Sequence, residues 1–337
     1  MEPPREQPTP CGIDKAEVDL SPPGIDVIIQ SWPYAAPEPA VGAESFFALV
    51  RRVENEHALV LIPLRLILVT ANLGEAVNCW NRALGLPESG VSQQPEGVVA
   101  GKHMSWGTTS ESARSIIILP DYIAAAIALE APAATATLIH ELGHVHDEFA
   151  RGLTRGFRPF QTTPRLNDWP GLCAYIAEEM TWSEYAAESI AARYWAPEQL
   201  ASFERNDGAY LAGVHARLRK SICNFLQTQL DFPSLWSGSV TNLSDLFANL
   251  GRAAAHLPFA KNEGEALSQL VPSDGEAACW RPVIERLVAE LRALREKDYS
   301  EWGPAPFSRL AEVVVLGFES AGFFPTSNSN NLHVSVR

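Results

Sequence analysis

No two cysteines in this 337-residue chain are spaced as CxxC, and the five present, Cys11, Cys79, Cys173, Cys223 and Cys279, are an odd number scattered along its length. That excludes a cysteine-ligated zinc ribbon and predicts reduced thiols in a cytosolic setting. Basic charge is scarce as well. There are 26 Lys and Arg against 40 Asp and Glu, a net charge of -14, which argues against a general electrostatic grip on nucleic acid or anionic lipid. Also missing is an apolar run of the roughly 20 residues needed to span a membrane. The stretch Ala58–Val69 is short and holds Pro63 and Arg65, and Ile123–Ile139 is alanine-rich and broken by Glu130 and Pro132. The opening MEPPREQPTP lacks the basic segment and apolar stretch of a secretory signal, so a cytoplasmic protein is expected.

What is present points to α+β, predominantly helical. Nine of the 25 prolines fall in the first 40 residues, a stretch with little apolar surface to offset the entropy of ordering, so residues 1–40 are expected to form a flexible arm. Phe46, Phe47, Leu49, Val50 and Val53 then sit at helical spacing. The apolar run to Val69 and a second helical pattern over 74–84 continue what looks like a helical lead into the core. Between Gly97 and Pro120 the segments GVVAGKHMSW and SIIILP are short, β-branched and bounded by Gly, Ser and Pro, which predicts a small sheet of paired strands. A helix follows from Pro132, in its first turn, to about Ala150, before Gly152. Arg151, Arg155, Arg158 and Arg165 crowd the next connection, as a rim for substrate or as partners of nearby carboxylates. A further helix is expected over 171–195. Recurrent amphipathic patterns, such as Val283, Ile284, Leu287, Leu291 and Leu294, make 201–325 a helical extension, and 326–337 reads as a loose tail. The intervening 41–200 is the expected main domain.

That domain carries HELGH at 140–144. On a helix His140 and His144 share a face and can reach one cation from the same side. Glu141 is turned by about 100° from His140. It therefore suits a water on the metal better than the metal itself. A continuation with Gly at 147 and His at 150 would mark a metzincin, but the chain has Asp147 and Ala150. A glutamate 18 to 19 residues beyond His144 would mark a thermolysin-like spacing, but 161–164 reads QTTP. The remaining source of a third ligand is WSEYAAESIAARYW, with Glu184 separated from His144 by 39 residues. Ala177, Met180, Glu184, Ala187, Ala191 and Tyr194 form one stripe at steps of three and four, the stripe that should face the core. A carboxylate buried there needs a partner, and a metal supplies one. Glu178 and Glu179 are the alternatives. Glu188, one turn beyond Glu184, is placed to accept a hydrogen bond from the far nitrogen of a ligand histidine.

Together these residues resemble the gluzincin metallopeptidases, which join an HExxH helix to a downstream ExxA(D/E) helix, and most of all the small intracellular ImmA/IrrE-type proteins. The match is His140, Glu141 and His144 with Glu184, Ala187 and Glu188, over about 80 residues from SIIILP to Trp195. The family more often has Asp where this chain has Glu188. The resemblance implies Zn2+ as cofactor, held by His140, His144 and Glu184, with Glu141 as catalytic base and a protein or peptide as substrate. It further implies that Ser115–Leu119 binds peptide as an added strand. The expected activity is that of an intracellular zinc endopeptidase; the alternative is a catalytically silent, zinc-stabilised regulatory protein acting through its helical extension. For the group that stabilises the developing oxyanion, Tyr175, Tyr185, Arg193 and His215 are candidates, although His215 and His103 fit satisfied core histidines. His146 is expected at the surface, and Glu148 as a helix-end carboxylate.

Overall fold

The structure is a computed structural model that describes residues 25–33, 39–86, 101–157, 164–270, 276–328 and 331–337. It is α+β and predominantly helical, with one mixed four-stranded sheet and a separate two-stranded one. The chain divides into two units, Met1–Phe149 and Ala150–Arg337. In the first, β1 (Asp26–Ile29), α1 (Pro39–His57), β2 (Leu64–Thr70), α2 (Leu73–Ala83), β3 (Lys102–Trp106), β4 (Arg114–Pro120) and α3 (Asp121–Ala128) lead into α4 (Pro132–Arg155), a helix that continues through the division.

The sheet order is β1-β2-β4-β3, parallel except for the last pair. Strand β2 reads LRLILVT, and Leu64, Ile67, Leu68, Val69 and Thr70 are all buried. An interior strand covered on both faces needs no alternation, which is why this segment passes for a continuation of helical pattern. Strand β1, DVII, pairs Asp26 with Leu66 through Ile29 with Val69. Residues 26–29 are therefore sheet and not part of a flexible arm, because the backbone ladder supplies what their side chains lack. The rest of 1–24 lies outside the described residues. Strands β3 and β4 pair, as predicted, and do so antiparallel, with His103 opposite Ile117. Ser115–Leu119 lies inside β4, whose two sides are taken by β2 and β3. It cannot accept an added strand. Among the described residues the edge strand beside it is β3. No single described helix is long and apolar enough to cross a membrane, and α3 and α4 are so in length and composition only together, as a pair bent by 113°.

In the second unit, α5 (Trp169–Tyr175), a π-helical segment (Ile176–Trp182) and α6 (Ser183–Ala191) replace the single helix expected over 171–195. Helices α7 (Pro197–Thr228), α8 (Phe232–His256), α9 (Glu263–Leu270), α10 (Arg281–Arg295) and α11 (Ser308–Ser320) come next. Strands β5 (Phe323–Asn328) and β6 (Asn331–Val336) close the chain as an antiparallel hairpin. The loose tail expected over 326–337 is thus a strand pair. Its polar sequence hides backbone pairing, Leu332, Val334 and Val336 rest on the core, and Arg219 donates to the Arg337 carbonyl at 2.9 Å. One core joins Leu172, Ile176 and Trp182 to Leu211, Leu243, Leu287 and Val313. No boundary near residue 200 sets off a helical extension, because the 169–191 helices and the later ones bury the same apolar surface.

Helix α8 meets the π-helical segment at Gly251, where a Cβ would stand 2.4 Å from the Thr181 carbonyl oxygen and 3.4 Å from the Tyr185 amide nitrogen. Only backbone meets backbone there. Gly251→Ala would gain up to about 1 kcal/mol in helix propensity. Forcing the two helices apart costs more, so a net loss of roughly 1–3 kcal/mol is expected. Urea unfolding that finds the variant as stable as the parent refutes this account.

Candidate metal centre

One turn of α4 brings His140 and His144 onto one face, and their Nε2 atoms approach to 3.0 Å with the rings edge-on at 86°. A hydrogen bond would use only one of these two nitrogens as acceptor, whereas a shared cation uses both lone pairs. Ligand atoms on a tetrahedral ion bound at about 2.0–2.1 Å stand roughly 3.3 Å apart. The observed separation is close to that. Glu141, the next residue, is buried. Gly101, just ahead of β3, makes room for it, since a Cβ there would lie 3.0 Å from both Cγ and Oε1 of Glu141.

Strand alternation puts His103 and Ser105 of β3 on one side. The His103 ring lies nearly parallel to that of His144, with centroids 6.1 Å apart, and its Nδ1 is 3.7 Å from Glu148. Ser105 Oγ donates to Glu148 Oε1. Glu148 is accordingly tied to the sheet and is not merely a helix-end carboxylate, and His103 is a neighbour of the histidine pair. The KHMSW alternation carried that signal. His146 is no free surface group either: its Nδ1 accepts from the Val60 amide at 2.9 Å, anchoring the turn before β2.

In the second unit two arginines of the basic cluster after HELGH, Arg151 and Arg155, are structural. Arg151 is buried at the last turns of α4, bonds Glu178 and Glu179 at 3.0 Å each, and shares Glu178 with Arg155. These arginines occupy the carboxylates that were alternatives to Glu184. Arg165 is exposed, and Arg158 lies outside the described residues. Glu178 and Glu179 lie inside the π-helical segment that precedes Glu184, and Thr181 Oγ1 donates to the Ile176 carbonyl at 2.7 Å there. Each residue added to a helical repeat turns the downstream helix by about 100°, and π-bulges recur at functional sites for that reason. Ala177, Ala187 and Ala191 of the expected stripe are buried, while Met180, Glu184 and Tyr194 are half-buried.

Glu184 forms an ion pair with Arg252, its Oε2 standing 2.9 Å from Nε. One ligand atom from each of His140, His144 and Glu184 lies within 4.8 Å of the others, so these three residues could hold a metal ion. Two imidazoles and a carboxylate are a donor set suited to a borderline cation such as zinc. Glu188 is buried, and its Oε1 accepts from Trp195 Nε1 at 2.6 Å and from His256 Nε2 at 2.7 Å. His256 in turn stacks on Phe203. Sequence spacing pairs Glu188 with a ligand histidine and does not foresee His256, 68 residues downstream.

Two of the four candidate oxyanion groups belong to the core of the second unit. Burial pushes the Tyr185 phenol above its usual range, against the opposing pull of Arg295, and the ring lies by Trp182. His215 Nδ1 accepts from Trp280 Nε1 at 3.2 Å, the satisfied core histidine that was expected. Arg193 is exposed and Tyr175 half-buried. No protein-family model, no curated protein and no solved structure matches the chain.

Proposed function

We propose that the chain is a zinc-dependent endopeptidase of the gluzincin type, most similar to the ImmA/IrrE-type proteins, acting on a protein or peptide inside the cell. The observation that carries this reading is the grouping of His140, His144 and Glu184 with Glu141 left out of the group but next to His140. In this arrangement the two histidines and Glu184 would hold the ion, and Glu141 would take a proton from water and later return it to the leaving amine. Bound zinc would supply an acidified water and a polarised carbonyl. Gly101 lets the Glu141 carboxylate sit against the chain entering β3. An extended substrate then has a place along the β3 edge, 102–106, where main-chain hydrogen bonds bring affinity without demanding a particular sequence. The free thiols of Cys79, Cys173, Cys223 and Cys279 suit a reducing compartment. Burial pushes Cys173 up to about 12, which keeps that thiol unreactive.

Purified protein from zinc-supplemented expression is expected to carry about one zinc per chain. A chelator should remove it together with casein or peptide hydrolysis, and zinc should restore both. Elemental analysis showing no first-row metal would overturn the proposal.

A further inference from the structure

Helices α6 and α8 face each other through two rungs. Glu184 meets Arg252 and, one turn on, Glu188 meets His256, so equal steps of four residues on each helix match acid to base. Below the first rung, Gly251 lets the two backbones touch at Thr181, the last turn of the π-helical segment before α6. The side chain next to that contact, Arg252, therefore projects from a fixed point of α8 and is not a swinging surface group. It approaches Glu184 Oε2 through Nε, at 2.9 Å, with 44% of its side chain exposed and 21% of that of Glu184.

We propose that Arg252 is a positioning residue of the metal centre. By pairing with Glu184 it limits the rotation of that carboxylate and so fixes the direction in which it offers a donor atom. This rests on the reading of Glu184 as a metal ligand. Two effects compete, one electrostatic and one conformational. The guanidinium repels a cation held by the same carboxylate, but with nearly half of the side chain in water that repulsion is screened. Fixing a floppy ligand has the opposite sign, and partners of ligands characteristically contribute roughly 10- to 100-fold in metal affinity. Orientation is thus expected to win.

The experiment titrates full-length parent, Arg252→Ala, Arg252→Lys and Glu184→Ala with Zn2+ against a competing chelator, and records the visible spectrum of each Co2+-substituted protein. Arg252→Ala is expected to weaken zinc roughly 10- to 100-fold, to change the Co2+ bands, and to regain affinity with millimolar guanidinium, while its thermal midpoint stays near that of the parent. Arg252→Lys, which keeps the charge but loses the planar fork, should fall between. Unchanged or tighter zinc binding in Arg252→Ala, with Glu184→Ala still defective, overturns the role of Arg252 alone. Parental affinity in Glu184→Ala, or no metal bound by the parent, overturns the ligand assignment and this inference with it. A general loss of fold would weaken zinc in Arg252→Ala without rescue by guanidinium and with a lowered midpoint, which also counts against positioning.

Discussion

Glu141→Gln is expected to abolish peptide hydrolysis while zinc content stays at that of the parent. The amide is nearly isosteric with the carboxylate, so the space beside Gly101 remains filled and the helix keeps its histidines in register. What is lost is the ability to take up a proton, and removal of a positioned acid/base typically costs about 10²- to 10⁴-fold. Single-turnover cleavage of a fluorogenic peptide, with metal analysis of the same sample, checks both halves. Loss of metal in this variant would make Glu141 a ligand. A parent that holds zinc and cuts no peptide or protein would instead favour the regulatory alternative.

The second large effect separates Glu184 from Glu188. Glu184→Ala removes a donor from the group formed with His140 and His144, so most of the zinc should be stripped at moderate chelator concentrations. Glu188→Ala should keep its zinc within roughly 10- to 100-fold of parental affinity. Its loss is also felt elsewhere, because Trp195 Nε1 and His256 Nε2 both donate to Glu188 Oε1 in a buried setting. Leaving such donors without an acceptor costs about 1–3 kcal/mol each. Glu188→Ala is therefore expected to be the less stable variant and Glu184→Ala the one poorer in metal. Chelator competition and urea unfolding on both proteins decide it. The reverse order, metal lost in Glu188→Ala and kept in Glu184→Ala, would make Glu188 the ligand.

Some departures of the structure from the sequence pattern share one cause. The arm at 26–29 and the tail at 331–336 are strands whose partners, 66–69 and 323–328, complete a ladder of backbone bonds. Backbone pairing leaves only a faint mark on side-chain pattern when a strand is short or polar. Strand β2 differs for another reason: both of its faces are buried, so its apolar residues show no period at all. Arg151 looks like part of a solvated rim because four arginines in a loop ordinarily are. Its buried bonds to Glu178 and Glu179 depend on two helices meeting.

By itself the sequence determined what is local. The paired strands ahead of α4 come from short β-branched runs bounded by Gly, Ser and Pro, and the i and i+4 placement of His140 and His144 and the turn of Glu141 away from them come from a period of 3.6 within a few residues. The helical character of the long second half was legible on the same ground. Only the tertiary structure decided which carboxylate joins the histidines and what holds it. Glu178, Glu179, Glu184 and Glu188 lie within eleven residues, and a π-helical segment among them resets the phase on which any stripe argument depends. Arg252 and His256 reach them from 68 residues downstream, brought there by the apolar burial of α8 against α6 and by the space Gly251 leaves at Thr181. Contacts at such separation are set by how whole helices share one core, and no window of sequence short enough to show a period contains both partners.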